Sequence, residues 1–218
     1  MSTAVNEVGF LFDLDGVLID SERQYSLIWA RINKEYPTGV ENLETVIKGT
    51  TLSKILSDYF PDESIREKVK QLLHRLEMEM HYDYLPSAEE FLCELKKRKI
   101  PAALVTSSDE KKMNHLKEEL PDILDYFDFV VTGDMVSSSK PSPEGYLLAA
   151  SKINKKPKNC VVFEDSLQGV TAGRNAGAYV VGIAGTLPAQ HLKPFSDIIV
   201  DTLAELDLDN LIHILNNR

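Results

Sequence analysis

Apolar residues along this chain fall into two kinds of run. The first kind is short and, save for Asp128, apolar on successive positions: 8–12, 100–105, 127–131, 160–163, 179–183 and 198–200. Runs of that form suit strands covered on both faces, as in a parallel sheet. The second kind repeats at helical spacing. Phe91, Leu92 and Leu95 follow Ser87 and Glu90, which have the spacing of a capping box. Met113, Leu116 and Leu120 repeat after Ser108, and Ser142-Pro143 opens a further helix with the proline at its first position. The pattern over 166–176 stops at Gly177, a good C-terminal signal. Strand and helix alternate from residue 87 onward, which predicts right-handed crossovers and a Rossmann-like, doubly wound parallel α/β sheet.

Residues 21–85 break the alternation. Tyr25, Ile28, Trp29, Ile32 and Tyr36 form one helical stripe, and Ile65, Val69, Leu72, Leu73, Leu76 and Met80 form another, with no strand between them. The chain therefore reads as an α/β core over 1–20 and 86–218, with a helical domain inserted over 21–85. No internal repeat or low-complexity tract is visible, and 137–139 is a loop.

Composition narrows the function classes. The 218 residues carry 34 Asp+Glu against 24 Lys+Arg, a net charge of −10. Such a field repels nucleic acid and anionic membranes. No apolar run is long enough to span a bilayer, and the first ten residues lack the basic and apolar regions of a secretory signal. The expectation is a cytoplasmic monomer acting on a small molecule. Cys93 and Cys160 form no C-x-x-C pair and read as reduced, buried, inert thiols. The five histidines show no paired spacing, so a His/Cys zinc site is not expected.

The candidate chemistry begins with FLFDLDGVLIDS over 10–21, where a strand delivers Asp13 and Asp15 and Gly16 lets the chain turn. Ligands of open α/β sheets bind outside the carboxyl ends of the strands. Two carboxylates this close repel unless a cation lies between them. A plain surface turn is the competing reading. Three further segments follow strands toward the same edge: Thr106-Ser107-Ser108, with hydroxyls and free N–H groups for an anion; Lys140, a positive point charge at the start of a helix; and Glu164-Asp165, two more carboxylates. Each has an ordinary explanation as a helix cap, a solvated lysine or a dipole partner. All of them at one sheet edge make a site.

Together, DLDGVLIDS (13–21), TSS (106–108), SKP (139–141) and EDSLQG (164–169) resemble the haloacid dehalogenase superfamily, in its branch of helical-cap phosphatases and phosphomutases. The resemblance spans nearly the whole chain. It implies a Rossmann-like core, a helical cap after the first strand, and Mg²⁺ as cofactor. It makes Asp13 the nucleophile that forms an aspartyl-phosphate and Asp15 the general acid/base. Thr106, Ser107 and Lys140 become phosphate-binding residues, and Mg²⁺ is held by Asp13, Asp165 and the Asp15 carbonyl. Glu164 is either a ligand or a neighbour of the ligands. An aspartate at position 15 favours phosphoryl transfer, because relatives that cleave carbon–halogen or carbon–phosphorus bonds lack it.

The substrate question falls to the cap, where Ser21, Glu22, Tyr25, Lys48 and Gly49 are the candidate contacts. Trp29 and Tyr25 also lie on an apolar stripe and so have a packing role as the default. Ser21 also sits where a helix cap or the family's hinge falls. The similar β-phosphoglucomutases carry a histidine where Tyr25 stands and an arginine where Leu52 stands, with Lys54 two residues on. Both departures favour a phosphatase acting on a sugar phosphate over a mutase. A phospho-receiver module is the non-enzymatic alternative, but such modules lack an insertion of this kind. An inactive scaffold would not keep every motif position intact.

Overall fold

The computed structural model describes residues 7–47 and 52–218. Six strands form one parallel sheet: β1 (Gly9–Phe12), β2 (Ala102–Val105), β3 (Phe129–Val131), β4 (Cys160–Glu164), β5 (Tyr179–Ile183) and β6 (Ile198–Val200). Their spatial order is β3-β2-β1-β4-β5-β6, every neighbouring pair running parallel. The chain winds outward from β1 to β3 on one side and from β4 to β6 on the other. The strand order therefore reverses between β1 and β4, the point where open α/β sheets bind their ligands.

Among the described residues, ten α-helices accompany the strands: α1 (Glu22–Glu35), α2 (Leu43–Val46), α3 (Leu52–Tyr59), α4 (Glu63–Glu77), α5 (Ala88–Arg98), α6 (Glu110–Glu119), α7 (Glu144–Lys152), α8 (Leu167–Asn175), α9 (Ala189–Leu192) and α10 (Leu208–Asn216). The continuous apolar strands are covered on both faces. Leu11, Val105 and Val162 pack with Tyr146 and Ala149 of α7 and Ala172 of α8. On the other face Phe12 stacks on Phe163 with ring centroids 4.4 Å apart, and Phe91 of α5 meets both edge-on.

The chain divides into two compact units, 1–20 with 83–218 and 21–82. In the smaller unit α1 turns Ile28, Trp29 and Ile32 inward, and α4 turns Val69, Leu72, Leu73 and Leu76 inward. Each is an amphipathic helix burying one stripe. Asp62 caps α4 by accepting from the Ser64 and Ile65 N–H groups.

Two local expectations change. Ser87 takes a left-handed conformation, φ 67°, and its side chain makes no capping bond, so the capping box ahead of α5 does not form. A box needs an extended N-cap to aim the hydroxyl back at the helix. Helix α7 starts at Glu144, which leaves Pro143 as its N-cap and not its first residue. Among the described residues, no helix is long and apolar enough to cross a membrane.

Candidate active site

The segment after β1 is not a surface turn. Asp13 N–H donates to the Phe163 carbonyl, extending the sheet, and Leu14, Val17, Leu18 and Ile19 are all fully buried. Gly16 makes the turn at φ +76° and donates to the Ile19 carbonyl. A Cβ there would run into the Asp165 carboxylate, so glycine is required both for the turn and for the approach of Asp165. Asp13 and Asp165 keep only 8% and 5% of their surface, and Glu164 keeps none.

Lys140, from the loop before α7, reaches back to these groups. Its ammonium donates to Asp13 Oδ1, to Glu164 Oε1 and to the Val105 carbonyl. Glu164 is held on all sides. Tyr146 donates to its Oε1 at 2.7 Å, and the Ser166 N–H and hydroxyl donate to its Oε2. Gly169 makes room for this carboxylate, since a Cβ at that position would overlap it. Ser166 also caps α8 by accepting from Gly169 N–H. The Tyr146 ring lies 5.2 Å from the lysine ammonium.

Burial pushes the Asp13 carboxyl up to about 7, with Glu164 and Asp15 adding to the rise against the pull of Lys140. Asp165 is raised well above its ordinary value, again by burial first and then by Glu164 and Asp13. Burial works against the Lys140 charge, but Asp13 and Glu164 outweigh it and hold the ammonium above its usual range. One lysine does not offset three packed carboxylates. Asp13, Glu164 and Asp165 each bring an oxygen within 4.8 Å of the others, an arrangement of hard donors that fits a divalent cation.

At the end of β2, Thr106 is buried and its hydroxyl accepts from Ser108 N–H, while Ser107 is exposed. Both line a small recess with Lys140, Gly133 and Tyr146. Asp15, more exposed than Asp13, is paired with Lys112 and accepts from Ser108 Oγ at 3.3 Å. Asp13, Asp15, Thr106, Ser107, Lys140, Glu164 and Asp165 thus meet at the carboxyl edge of β1, β2 and β4.

In the helical unit, Tyr25 donates to Glu77 at 3.1 Å. Glu22, Tyr25, Trp29, Glu44 and Glu77 line a cleft of about 260 Å³. Ser21 is fully buried and its hydroxyl has no hydrogen-bond partner among the described residues. Lys54 pairs with Asp58 one turn along α3. Lys48 and Gly49 lie outside the described residues.

Sequence reasoning missed Lys112, Tyr146 and Thr186, whose hydroxyl bonds to Asp165. Lys112 looks like one of several solvated lysines at a helix start, and Tyr146 like a core aromatic. Nothing in the sequence pattern signals Thr186. The thiols also need a correction: Cys160 is buried, but Cys93 is exposed, its sulfur 3.3 Å from the Tyr126 hydroxyl. Position 93 falls on the outer face of α5, where Phe91, Leu92 and Leu95 point in.

The family model for haloacid dehalogenase-like hydrolases matches residues 8–177. Validoxylamine A 7'-phosphate phosphatase of Streptomyces hygroscopicus subsp. limoneus is 31% identical, over 90% of this chain and 94% of its own. The phosphorylated carbohydrates phosphatase of Thermotoga maritima is 34% identical over 77% of this chain and 80% of its own. A solved structure from Thermotoga maritima, of a candidate β-phosphoglucomutase, is 28% identical with a TM-score of 0.71, covering 96% of this chain and 99% of that one.

Proposed function

The chain belongs to the haloacid dehalogenase-like hydrolases, and from that premise we propose that it is a phosphatase that hydrolyses a small sugar phosphate through a phosphorylated Asp13. The observation that carries this reading is the meeting of Asp13, Asp15, Lys140 and Asp165 at one strand edge. Phosphoryl transfer asks a protein for in-line positioning and charge neutralisation, and little else. These residues are of the right kinds for both.

In the first step an Asp13 oxygen bonds to phosphorus as the ester P–O bond breaks. The leaving oxygen takes the bonding pair and a proton from Asp15. In the second step a water attacks the aspartyl-phosphate and gives its proton to Asp15, which releases inorganic phosphate and the Asp13 carboxylate. Splitting hydrolysis in this way replaces one difficult step with two easier ones. Lys140, held against Asp13, keeps the nucleophile oriented and carries charge toward the phosphoryl oxygens. Thr106 and Ser107 hold the phosphoryl group with hydroxyl and N–H donors. Asp13, Asp165 and the Asp15 carbonyl, with Glu164 beside them, would hold Mg²⁺, which when bound supplies positive charge against the phosphoryl oxygens.

Two relatives, one named as a phosphatase of phosphorylated carbohydrates and one of validoxylamine A 7'-phosphate, support a sugar-like phosphorylated substrate. The structural likeness to a candidate β-phosphoglucomutase keeps phosphosugar transfer as the second reading. One screen separates them. Purified protein with Mg²⁺ and a panel of sugar phosphates is scored for released phosphate and for isomerised product. Phosphate release that EDTA and Asp13→Asn both abolish is expected. Isomer formation stimulated by a sugar bisphosphate, without phosphate release, would establish the mutase instead. Full activity in Asp13→Asn would remove Asp13 as nucleophile.

A further inference from the structure

Lys112 is the third residue of α6, and its own N–H is fixed by the Asp109 carboxylate at 2.9 Å. From there its side chain returns to the end of β1. The ammonium lies 2.8 Å from both Asp15 oxygens, and the Ser108 hydroxyl donates to Oδ2. Its neighbour Lys111 stays exposed, whereas the Lys112 side chain keeps only 12% of its surface. A lysine drawn this far from water loses hydration that only a well-formed ion pair offsets. An aspartate has two rotatable bonds, and donors on both carboxylate oxygens restrain both of them. Without those donors, repulsion from Asp13 would favour turning Asp15 away.

We infer that Lys112 is a positioning residue for the proton transfer made by Asp15, an inference that rests on the acid/base reading above. Lys112 bonds to Asp15, and the role assigned to it is through that carboxyl and not through the phosphoryl group or the leaving oxygen. It acts by fixing the direction from which the Asp15 carboxyl meets that oxygen. Asp15, ion-paired as a carboxylate, takes up a proton from solvent before this step; as the Asp13–phosphorus bond forms and the ester P–O bond breaks, the bonding pair goes to the leaving oxygen and that proton follows. Misdirecting that proton matters most when the leaving group is strongly basic, because a stable anion departs with little help.

The test uses kcat/KM, which covers events up to formation of the phospho-aspartate, for phenyl phosphate and for 4-nitrophenyl phosphate, whose leaving anion is the weaker base. Lys112→Met should lower the value for phenyl phosphate by about 10-fold or more, a part of the roughly 10²–10⁴-fold that a positioned general acid contributes. The loss on 4-nitrophenyl phosphate should be several times smaller, and Lys112→Arg should recover part of the phenyl phosphate rate. The double variant Asp15→Asn/Lys112→Met should be no slower than Asp15→Asn, as expected when one residue acts through the other. Lys112→Gln serves in place of Lys112→Met if the latter melts below the assay temperature. Equal losses on both substrates, or losses that add in the double variant, would overturn the inference alone. If Asp15→Asn itself slows both substrates equally, the acid/base reading falls and this inference with it.

Discussion

Four carboxylates at one edge of the sheet sit in four settings. Asp13 is buried and paired with Lys140; Asp15 is more open and paired with Lys112; Asp165 is raised by burial and by its neighbours; Glu164 is fixed by Lys140, Tyr146 and Ser166. Gly169→Ala tests the last of these, since the added methyl would occupy the place of the Glu164 carboxylate. Moving that carboxylate also moves Lys140, and about 1 Å of misplacement can cost roughly 100-fold in rate. A kcat reduced by about that factor in a protein that still folds by circular dichroism is the expected result. The two cysteines give a second test. Burial pushes the Cys160 thiol up to about 12, while Cys93 is exposed. At pH 8 a thiol reagent should label Cys93 in the native protein and reach Cys160 only after unfolding. Because the Cys160 value is raised from 9 in the folded state, its contribution to stability is complete below pH 9. That contribution is lost as pH climbs toward 12, so Cys160→Ala should flatten the alkaline decline in melting temperature. Asp13, Asp15 and Asp165 were legible in the sequence because charged residues placed just after apolar strands are conspicuous, and Lys140 because it stands just ahead of a helix. Lys112 was not, because one lysine of a pair on a helix start looks like the other until a partner across the sheet is known.

The elements follow from hydrophobic period, and their ends follow from local chemistry. Five continuous apolar runs and one mixed run became six strands, with β5 and β6 at the predicted bounds and the others within a few residues. The failed capping box at Ser87 has the opposite lesson: the right residues at the right spacing cap nothing when the N-cap backbone is left-handed. Ser166, extended at φ −106°, does cap its helix. Side-chain contacts also run between strands, where Phe12 and Phe163 stack nearly parallel and Phe91 closes the cluster from α5. Phe163→Ala removes the shared ring. Denaturant unfolding should show a loss of about 3–5 kcal/mol with an unchanged slope, as for large core truncations. A loss below about 1 kcal/mol would mean that the aromatic cluster does not anchor β4 to β1.

At the scale of the molecule, a protein of net charge −10 is proposed to bind an anion. Salt screens exposed charge beyond roughly 8–10 Å, so the pocket depends on Lys140, Lys112 and a bound cation more than on the surface. The acidic donors come from β1 and β4, which are neighbours in space but far apart in sequence. A cation held between them binds the folded chain and not the unfolded one, so Mg²⁺ should raise the melting temperature in a concentration-dependent way. At about 100 times its Kd the gain is roughly 2.7 kcal/mol, and Asp165→Asn should abolish the shift. A shift retained in Asp165→Asn would place the ion elsewhere. The residue sequence determined the alternation of strands and helices, the helical stretch between β1 and α5, and which strand ends carry charge. These depend on period and on chemistry within a few residues, and both are written locally. Only the tertiary structure decided that Asp15 faces Lys112, that Tyr146 and Ser166 fix Glu164, and that Gly16 and Gly169 are glycine to let carboxylates pass. Those pairings join residues from different strands and helices, and strand order and side-chain direction, which bring them together, are properties of the packed sheet.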